Sequence, residues 1–237
     1  MQVYSHTVTL KNKDVDLHRR LRTSKLFELL QEASIAHTEA LGMGREKTLD
    51  RGLLWVVLQQ KVLIHRLPCY DETITVVTWP GDTLHVLFPR YYQILDEQGT
   101  VLAEASMMWM LVDEKTRKMI FPDRWDIVIP GVRTGREMEL PSHMSFPPGE
   151  KTISFTVPYS YCDLNGHMNN THYYDLAEDH IPQAAEGRKI SMIEADYGAE
   201  ILYGEQISVS FHIEEDRAEV SGDGDKNRFR IRIQYCE

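Results

Sequence analysis

The chain has few cysteines and no long apolar run, and each shortage excludes a class of protein. The three cysteines, Cys69, Cys162 and Cys236, are odd in number and far apart, so the sequence predicts no disulfide framework. The longest apolar runs, residues 53–58 and 107–112, have six residues each, whereas a membrane-spanning helix needs roughly 20. We therefore expect a protein of the reducing cytoplasm that makes no membrane contact.

Positive charge and metal-ligand motifs are scarce as well. The formal net charge is −10, which argues against a nucleic-acid partner. The ten histidines include no HExxH motif and the cysteines form no CxxC motif, so the sequence predicts no metal site. Hydrophobic residues still make up 42% of the chain, which is enough for a substantial core.

A helical pattern followed by a series of strand patterns occurs early in the chain. Residues 1–10 have the pattern of a strand. Apolar residues at helical spacing then predict a helix that begins at Thr23 or Ser24, either of which can cap it, and ends near Leu41. The later patterns are those of strands, at residues 53–64, 73–79, 88–95 and 101–112.

A segment rich in proline and glycine, residues 126–150, separates this pattern from a second, similar one. The second pattern begins with a strand at residues 151–157 and a polar loop. It continues with a predicted helix from about Asn170 to Ile181, which Pro182 ends, and then with strands.

The two patterns align residue by residue, which indicates an internal duplication. Asp16 aligns with Asp163, and residues 70–76 (YDETITV) align with residues 203–209 (YGEQISV). A long helix followed by antiparallel strands buries its apolar face when the sheet wraps around it. We therefore predict an α+β protein with two such repeats in tandem. The predicted parts are an N-terminal repeat at residues 1–125, a linker at 126–150 and a C-terminal repeat at 151–237.

The polar loop before the second helix carries three candidate site residues, Asp163, Asn165 and His167. Free backbone N–H groups near a helix N-terminus can stabilise an oxyanion, and those of residues 166–168 are candidates for this role. Each side chain also has a plain structural explanation. Asp163 and Asn165 could form turns and cap the helix, and His167 could be a structural histidine.

This arrangement resembles the hotdog fold, and specifically the double-hotdog acyl-ACP thioesterases. Residues 163–170 (DLNGHMNN) are similar to that family's loop of Asp, Asn and His, and residues 196–200 (DYGAE) resemble its later segment, in which the Glu completes the site. The resemblance covers nearly the whole chain and implies a bacterial-type member, since no transit-peptide pattern precedes the first strand. Further similar segments are residues 31–33 (QEA), 52–55 (GLLW), 78–80 (TWP) and 90–92 (RYY).

The resemblance implies a cofactor-free hydrolase of lipid metabolism. Such a thioesterase converts fatty acyl-ACP to free fatty acid and holo-ACP in fatty acid biosynthesis. Its catalytic residues would be Asp163, Asn165, His167 and Glu200. Glu200, in a strand packed on the helix, would be the general base, and Asn165 would position the attacking water. His167 would donate to the substrate carbonyl or hold Glu200, while Asp163 would fix the loop or orient His167.

At the aligned positions the first repeat keeps the aspartate, as Asp16. It has His18, Arg20 and Leu67 in place of the Asn, the His and the Glu. Because this repeat lacks the His and the Glu, we expect it to have no active site and to hold the acyl chain instead. The residues expected to line that acyl pocket are Leu29, Ala33, Trp55 and Val57.

Four cations lie close together at the start of the first helix: Arg19, Arg20, Arg22 and Lys25. They predict a docking patch for an acidic phosphopantetheine carrier, because a chain of net charge −10 needs local positive charge to attract one. A solvated surface is the alternative explanation. We expect an acyl carrier protein as partner, neither nucleic acid nor membrane, and a homodimer.

Other functions stay open on the same fold. An acyl-CoA thioesterase would differ in its carrier, and a non-catalytic acyl-binding protein would bind product without turnover. A hotdog hydratase normally has an Asp and a His without the later Glu. Cys162, next to Asp163, leaves a Cys–His nucleophile open. Ile201 stands where many plant members carry a cysteine, which excludes a thiol nucleophile at that position.

Overall fold

The computed structural model describes residues 2–223 and 227–236, and it shows two repeats of one arrangement. Each repeat consists of an opening strand, a helical segment and four further strands. The first repeat contains β1 (Tyr4–Thr9), α1 (Thr23–Ala40), β2 (Leu53–Ile64), β3 (Thr73–Pro80), β4 (Leu87–Leu95) and β5 (Val101–Asp113). The second contains β6 (Lys151–Thr156), α2 (His172–Glu178), α3 (Pro182–Ala185), β7 (Ile190–Tyr197), β8 (Gln206–Ile213), β9 (Arg217–Asp223) and β10 (Asn227–Tyr235).

The strands of the described residues form one ten-stranded antiparallel sheet. Its order is β1-β3-β4-β5-β2-β7-β10-β9-β8-β6, so β2 and β7 join the two repeats at the centre. At this seam Gln60 pairs with Ala195 and Val62 with Ile193. Joining the sheets edge to edge satisfies the backbone groups of two strands that would otherwise be exposed edges.

Both helical segments pack on the same face of this sheet, and they touch each other. Phe27 of α1 stacks on Tyr174 of α2 with ring centroids 3.9 Å apart and planes only 4° from parallel. Both rings are almost completely buried, so this contact ties the helical layers of the two repeats together.

Thr23 is not the cap that the sequence suggests. The N-cap of α1 is Arg22, which makes no side-chain capping bond, and Thr23 is the first helical residue. The Thr23 hydroxyl instead donates to Oε1 of Glu178 at the end of α2, at 2.5 Å. A tertiary contact has therefore replaced the local cap.

The second helix is shorter than the predicted span of about 170–181. α2 covers only His172–Glu178, because Asn169 Oδ1 accepts from the Thr171 N–H at 3.0 Å and holds the preceding residues in a turn. Pro182 does not end this helix but begins the short α3, in which it occupies the first turn. A proline is tolerated there, since that N–H has no partner within the helix.

The loops of the two repeats have matching hydrogen bonds, which supports the duplication. Asp16 and Asp163 each accept, through Oδ1, the backbone N–H groups two and four residues further on. The distances are 2.8 and 2.9 Å at Asp16, and 2.8 and 3.4 Å at Asp163. The corresponding isolated bridges are Arg20↔Cys69 and His167↔Leu202.

Residues 126–150 contain neither helix nor strand and lie across the sheet. The Glu139 carbonyl accepts from Ser106 Oγ of the first repeat at 2.7 Å. The Met144 N–H donates to Asp196 Oδ2 of the second at 3.0 Å. This segment therefore connects the repeats through contacts to both.

Candidate active site

The polar loop is held in one conformation by its own backbone. The Asp163 N–H donates to the His167 carbonyl at 2.9 Å, and the Asp163 carboxylate accepts N–H groups of the loop. Gly166 has φ +77°, a left-handed conformation that glycine adopts without strain. The Met168 N–H donates to the Ile201 carbonyl at 2.8 Å, which fastens the loop to the segment that carries Glu200.

His167 and Glu200 meet at the end of this loop. Nε2 of His167 lies 3.3 Å from Oε2 of Glu200. The imidazole is 11% exposed and the carboxylate 37%, so the pair faces solvent on the Glu200 side. The sequence suggested that Glu200 lies within a strand, but it lies beyond the end of β7. Arg228 Nη1 donates to its backbone carbonyl at 2.6 Å and fixes this segment.

A third residue, Arg117, completes the cluster and was missed by the sequence analysis. Its Nη1 lies 3.5 Å from Oε1 of Glu200, and its Nη2 lies 3.3 Å from Nε2 of His167. Arg117 belongs to the first repeat and precedes His167 by 50 residues. Its position in the KTRK sequence after a strand resembles an ordinary surface turn, and so gave no signal.

Next to the loop, a cavity of about 400 Å³ opens between α1 and the sheet of the first repeat. Asp163 and Asn165 line it on the loop side, so the loop borders both the cavity and the His167–Glu200 pair. Its apolar walls include Ile35, Leu53, Trp55, Phe88, Trp109 and Ile129. A groove of this composition suits an alkyl chain whose polar end lies at the loop.

The cavity lining includes one of the four residues expected to line the acyl pocket. Trp55 lies on the wall, but Leu29, Ala33 and Val57 are buried in the core and are not among the lining residues. The cause is the helix phase. Lining positions 31, 34, 35 and 38 of α1 recur at helical spacing and form one stripe, whereas Leu29 and Ala33 belong to a different stripe.

One wall of the cavity is polar and carries Arg90, which is only 4% exposed. The guanidinium lies 3.0 Å from Nδ1 of His37 and donates to Oγ1 of Thr38 at 3.1 Å. Burial lowers the pKa of this guanidinium from its usual value. These contacts tie β4 to the C-terminal half of α1 and so fix the width of the cavity.

The backbone groups suggested for an oxyanion hole are already engaged. The N–H of Gly166 donates to the Asp163 carbonyl at 3.0 Å, and that of His167 to Asp163 Oδ1 at 3.4 Å. The Met168 N–H donates to Ile201. These three hydrogen bonds hold the loop together, so the three N–H groups are not free to bind a substrate carbonyl in this arrangement.

In the first repeat, side chains occupy the space equivalent to the cavity. The alignment matches residues 178–186 with the stretch of α1 that borders the cavity, so the equivalent space lies between these residues and the loop at Asp16. There His18 Nε2 lies 3.0 Å from the Ala185 carbonyl. Arg20 Nη1 donates to the Gly187 carbonyl at 2.9 Å. A Cβ on Gly187 would lie only 2.7 Å from the His18 ring, so the packing is tight.

The cations of the suggested docking patch have different environments. Arg20 pairs with Asp16 at 3.2 Å, and Lys25 pairs with Glu28 at 2.5 Å, so both are engaged within the chain. Arg19 and Arg22 are exposed. The patch lies at the N-terminus of α1, about 12–24 Å along the helix from the cavity-lining positions 31–39.

The cysteine alternative finds no geometric support. Cys162 Sγ donates to the Pro158 carbonyl at 3.7 Å, whereas the His167 ring is in contact with Glu200 and Arg117. Ile201 is completely buried.

Among the described residues, no group of three or more His, Cys, Asp or Glu side chains is arranged to hold a metal ion. Within that same part of the chain, no helix has the length and apolar character needed to span a bilayer.

Comparison with known families gives this geometry a context. The family model of the acyl-ACP thioesterase N-terminal domain matches residues 1–123, and that of the C-terminal domain matches residues 148–234. The chain belongs to the acyl-ACP thioesterase family. An acyl-ACP thioesterase from Bacteroides thetaiotaomicron superposes with a TM-score of 0.85 at 21% identity, over 99% of this chain and 98% of that one.

Plant members of the family are similar as well. The 12:0-ACP thioesterase from Umbellularia californica superposes with a TM-score of 0.80 at 19% identity, over 99% of this chain and 97% of that one. The two superpositions confirm the predicted double hotdog fold.

Curated relatives extend the comparison. The chain is 23% identical over 214 residues to the chloroplastic palmitoyl-acyl carrier protein thioesterase of Cuphea hookeriana. It is 24% identical over 214 residues to the chloroplastic dodecanoyl-[acyl-carrier-protein] hydrolase of Cinnamomum camphora. These matches cover 84% of this chain but 52% and 56% of the relatives, so the chain spans about half the length of the curated relatives it matches.

Proposed function

We propose that the protein hydrolyses fatty acyl-ACP thioesters to free fatty acid and holo-ACP with a base-activated water. The observation that carries this proposal is the pairing of Glu200, at 3.3 Å, with His167, whose loop also borders an apolar cavity. A thioester group at the loop would lie beside a base, while its alkyl chain extends into the first repeat. Family membership and the names of the relatives support the same substrate class.

Chemically, Glu200 takes a proton from water, and the water oxygen forms a bond to the thioester carbonyl carbon. The tetrahedral intermediate then collapses, the carbon–sulfur bond breaks, and the thiolate leaves with the proton that Glu200 returns. Oxygen is added only from water, so the step requires no cofactor. His167, at 3.3 Å from Glu200, is placed to orient the carboxylate or to donate to the carbonyl oxygen.

Asn165 and Asp163 contribute from the cavity side of the loop. Asn165 Nδ2 donates to Asp163 Oδ2 at 3.3 Å, and its amide oxygen stays available to accept a hydrogen bond from water. Asp163 organises the loop through its bonds to backbone N–H groups. In this proposal Asn165 positions the water and Asp163 holds Asn165 in place.

The proposal also concerns the carrier of the substrate and the length of its acyl chain. Relatives are named for palmitoyl and for dodecanoyl groups, so the family alone does not fix a chain length. We infer an acyl carrier protein as the partner, with the exposed Arg19 and Arg22 as docking cations. The cytoplasmic location and the homodimer expected from the sequence stay predictions.

A panel of acyl-ACP and acyl-CoA substrates with matched chains tests the proposal. Thiol release should show a kcat/KM for acyl-ACP at least about tenfold above that for acyl-CoA, because the protein carrier adds contacts that CoA lacks. Equal values would favour an acyl-CoA thioesterase. Tight fatty acid binding without turnover of either series would favour a non-catalytic acyl-binding protein.

A further inference from the structure

The turn that follows β5 brings a side chain of the first repeat into the site of the second. Its conformation is fixed by Asp113, whose Oδ1 accepts the Thr116 N–H at 2.7 Å and the Thr116 hydroxyl at 2.8 Å. The Arg117 N–H donates to the Asp113 carbonyl at 2.9 Å, and Arg117 adopts a left-handed φ of +55°. A non-glycine residue rarely has this backbone conformation, so the turn directs the Arg117 side chain in one specific way.

The guanidinium of Arg117 reaches both members of the proposed catalytic pair. Nη1 lies 3.5 Å from Oε1 of Glu200, and Nη2 lies 3.3 Å from Nε2 of His167. An arginine always carries its charge, and its planar group presents several N–H donors in fixed directions. One side chain can therefore hold the carboxylate and the imidazole at a set separation.

Nε2 of His167 lies within reach of both other members of the cluster. Oε2 of Glu200 is 3.3 Å away, and Nη2 of Arg117 is also 3.3 Å away. A proton on Nε2 can be donated to Glu200, whereas an unprotonated Nε2 can accept from Arg117. In either tautomer the guanidinium lies beside the carboxylate that carries the negative charge.

We propose that Arg117 is a positioning residue for the hydrolysis: it holds the Glu200 carboxylate and the His167 ring at a set separation, so that the carboxylate is oriented to accept from the attacking water. This inference rests on the proposed function. It also gives the first repeat a direct part in the chemistry. In the first repeat, side chains occupy the space next to the loop. That repeat nevertheless supplies Arg117, the cation that organises the loop of the second repeat.

The experiment uses a small thioester substrate, so that carrier docking does not enter. Arg117→Met removes the charge and keeps the length of the side chain. We expect kcat to fall on the order of 10- to 100-fold, the usual effect of losing hydrogen bonds to a charged group, with KM changed less than about threefold. Arg117→Lys keeps the charge but loses the planar fork, and its kcat should lie between those of Arg117→Met and the wild type.

Lys118→Met is the matched control, since it removes a cation from the same turn. Its side chain makes no ion pair among the residues that the structure describes, and its kcat should stay within about twofold of the wild type. Equal kcat values for Arg117→Met, Arg117→Lys and Lys118→Met would overturn the inference. If Arg117→Met melts at a lower temperature than the wild type, the kcat values of Arg117→Lys and Lys118→Met decide. A lower kcat for Arg117→Lys supports the inference, and equal values overturn it.

A double mutant separates this inference from the proposed function. Glu200→Gln should itself be slow, and adding Arg117→Met to it should cost less than about threefold, because the arginine acts through the carboxylate it holds. Full additivity of the two losses would overturn the positioning role and leave the proposed function intact. Normal turnover by Glu200→Gln would instead contradict the proposed function itself.

Discussion

Glu178 offers a quantitative test of how α2 packs against the first repeat. It ends α2, accepts the Thr23 hydroxyl at 2.5 Å, and lies in the region that corresponds to the cavity wall of the other repeat. Burial raises the pKa of its carboxyl group from 4.5 to about 7, and the Thr23 hydrogen bond only partly offsets that effect. The fold therefore favours the protonated form of Glu178.

The sign of the pH dependence follows from this direction. A carboxyl group whose pKa is raised by folding contributes its full stability below its unfolded pKa of 4.5, and that contribution is lost as the pH rises to about 7. A rise from 4.5 to about 7 corresponds to at most about 3 kcal/mol of unfolding free energy. Because Glu178 keeps some contact with solvent, we expect a loss of about 1–3 kcal/mol between pH 5 and pH 8.

Glu178→Gln removes this titration and keeps a neutral acceptor for Thr23. Urea unfolding of the wild type and the variant at pH 5, 6.5 and 8 gives the comparison, since other titrating groups are common to both proteins. The variant should become more stable relative to the wild type as the pH rises. The exposed Glu186→Gln serves as a control and should follow the wild type. Parallel curves for the wild type and Glu178→Gln would refute the reasoning.

Two further predictions concern the first repeat. Replacing Arg19 and Arg22 with Glu should raise KM for acyl-ACP about 3- to 10-fold and weaken its salt dependence, with little effect on a small thioester. An unchanged KM for acyl-ACP would return these residues to the role of a solvated surface. His18→Ala should lower the unfolding free energy by about 1 kcal/mol through the lost contact with Ala185, while turnover continues. Loss of turnover in a stably folded His18→Ala protein would contradict a purely structural role.

The elements that sequence predicted well are those whose pattern is repeated or long. The strand expected at residues 53–64 matches β2, which begins with an unbroken run of six apolar residues. The alignment of Asp16 with Asp163 is matched by equivalent hydrogen bonds, because both loops need the same acceptor for their N–H groups. In these cases the residues close together in the sequence were sufficient for the prediction.

The features that sequence missed depend on contacts between distant segments. Arg117 enters the site from the other repeat, and nothing in its neighbourhood distinguishes it from a surface residue. Thr23 looks like a cap but bonds to Glu178 across the helix interface. The apolar stripe of α1 faces the core, whereas the stripe that faces the cavity is mostly polar, so apolar periodicity does not identify the cavity-lining positions.

Turnover of acyl-ACP by Glu200→Gln, set against Cys162→Ala, tests the central claim most directly. The amide keeps the size of Glu200 and loses its basicity, so kcat should fall by roughly 10² to 10⁴, the usual contribution of a general base. Acyl-ACP binding should persist in that variant, because the chain and the carrier provide most of the contacts. Cys162→Ala should retain wild-type turnover. A dead Cys162→Ala enzyme together with a normally active Glu200→Gln enzyme would contradict the water mechanism and require a covalent acyl-enzyme.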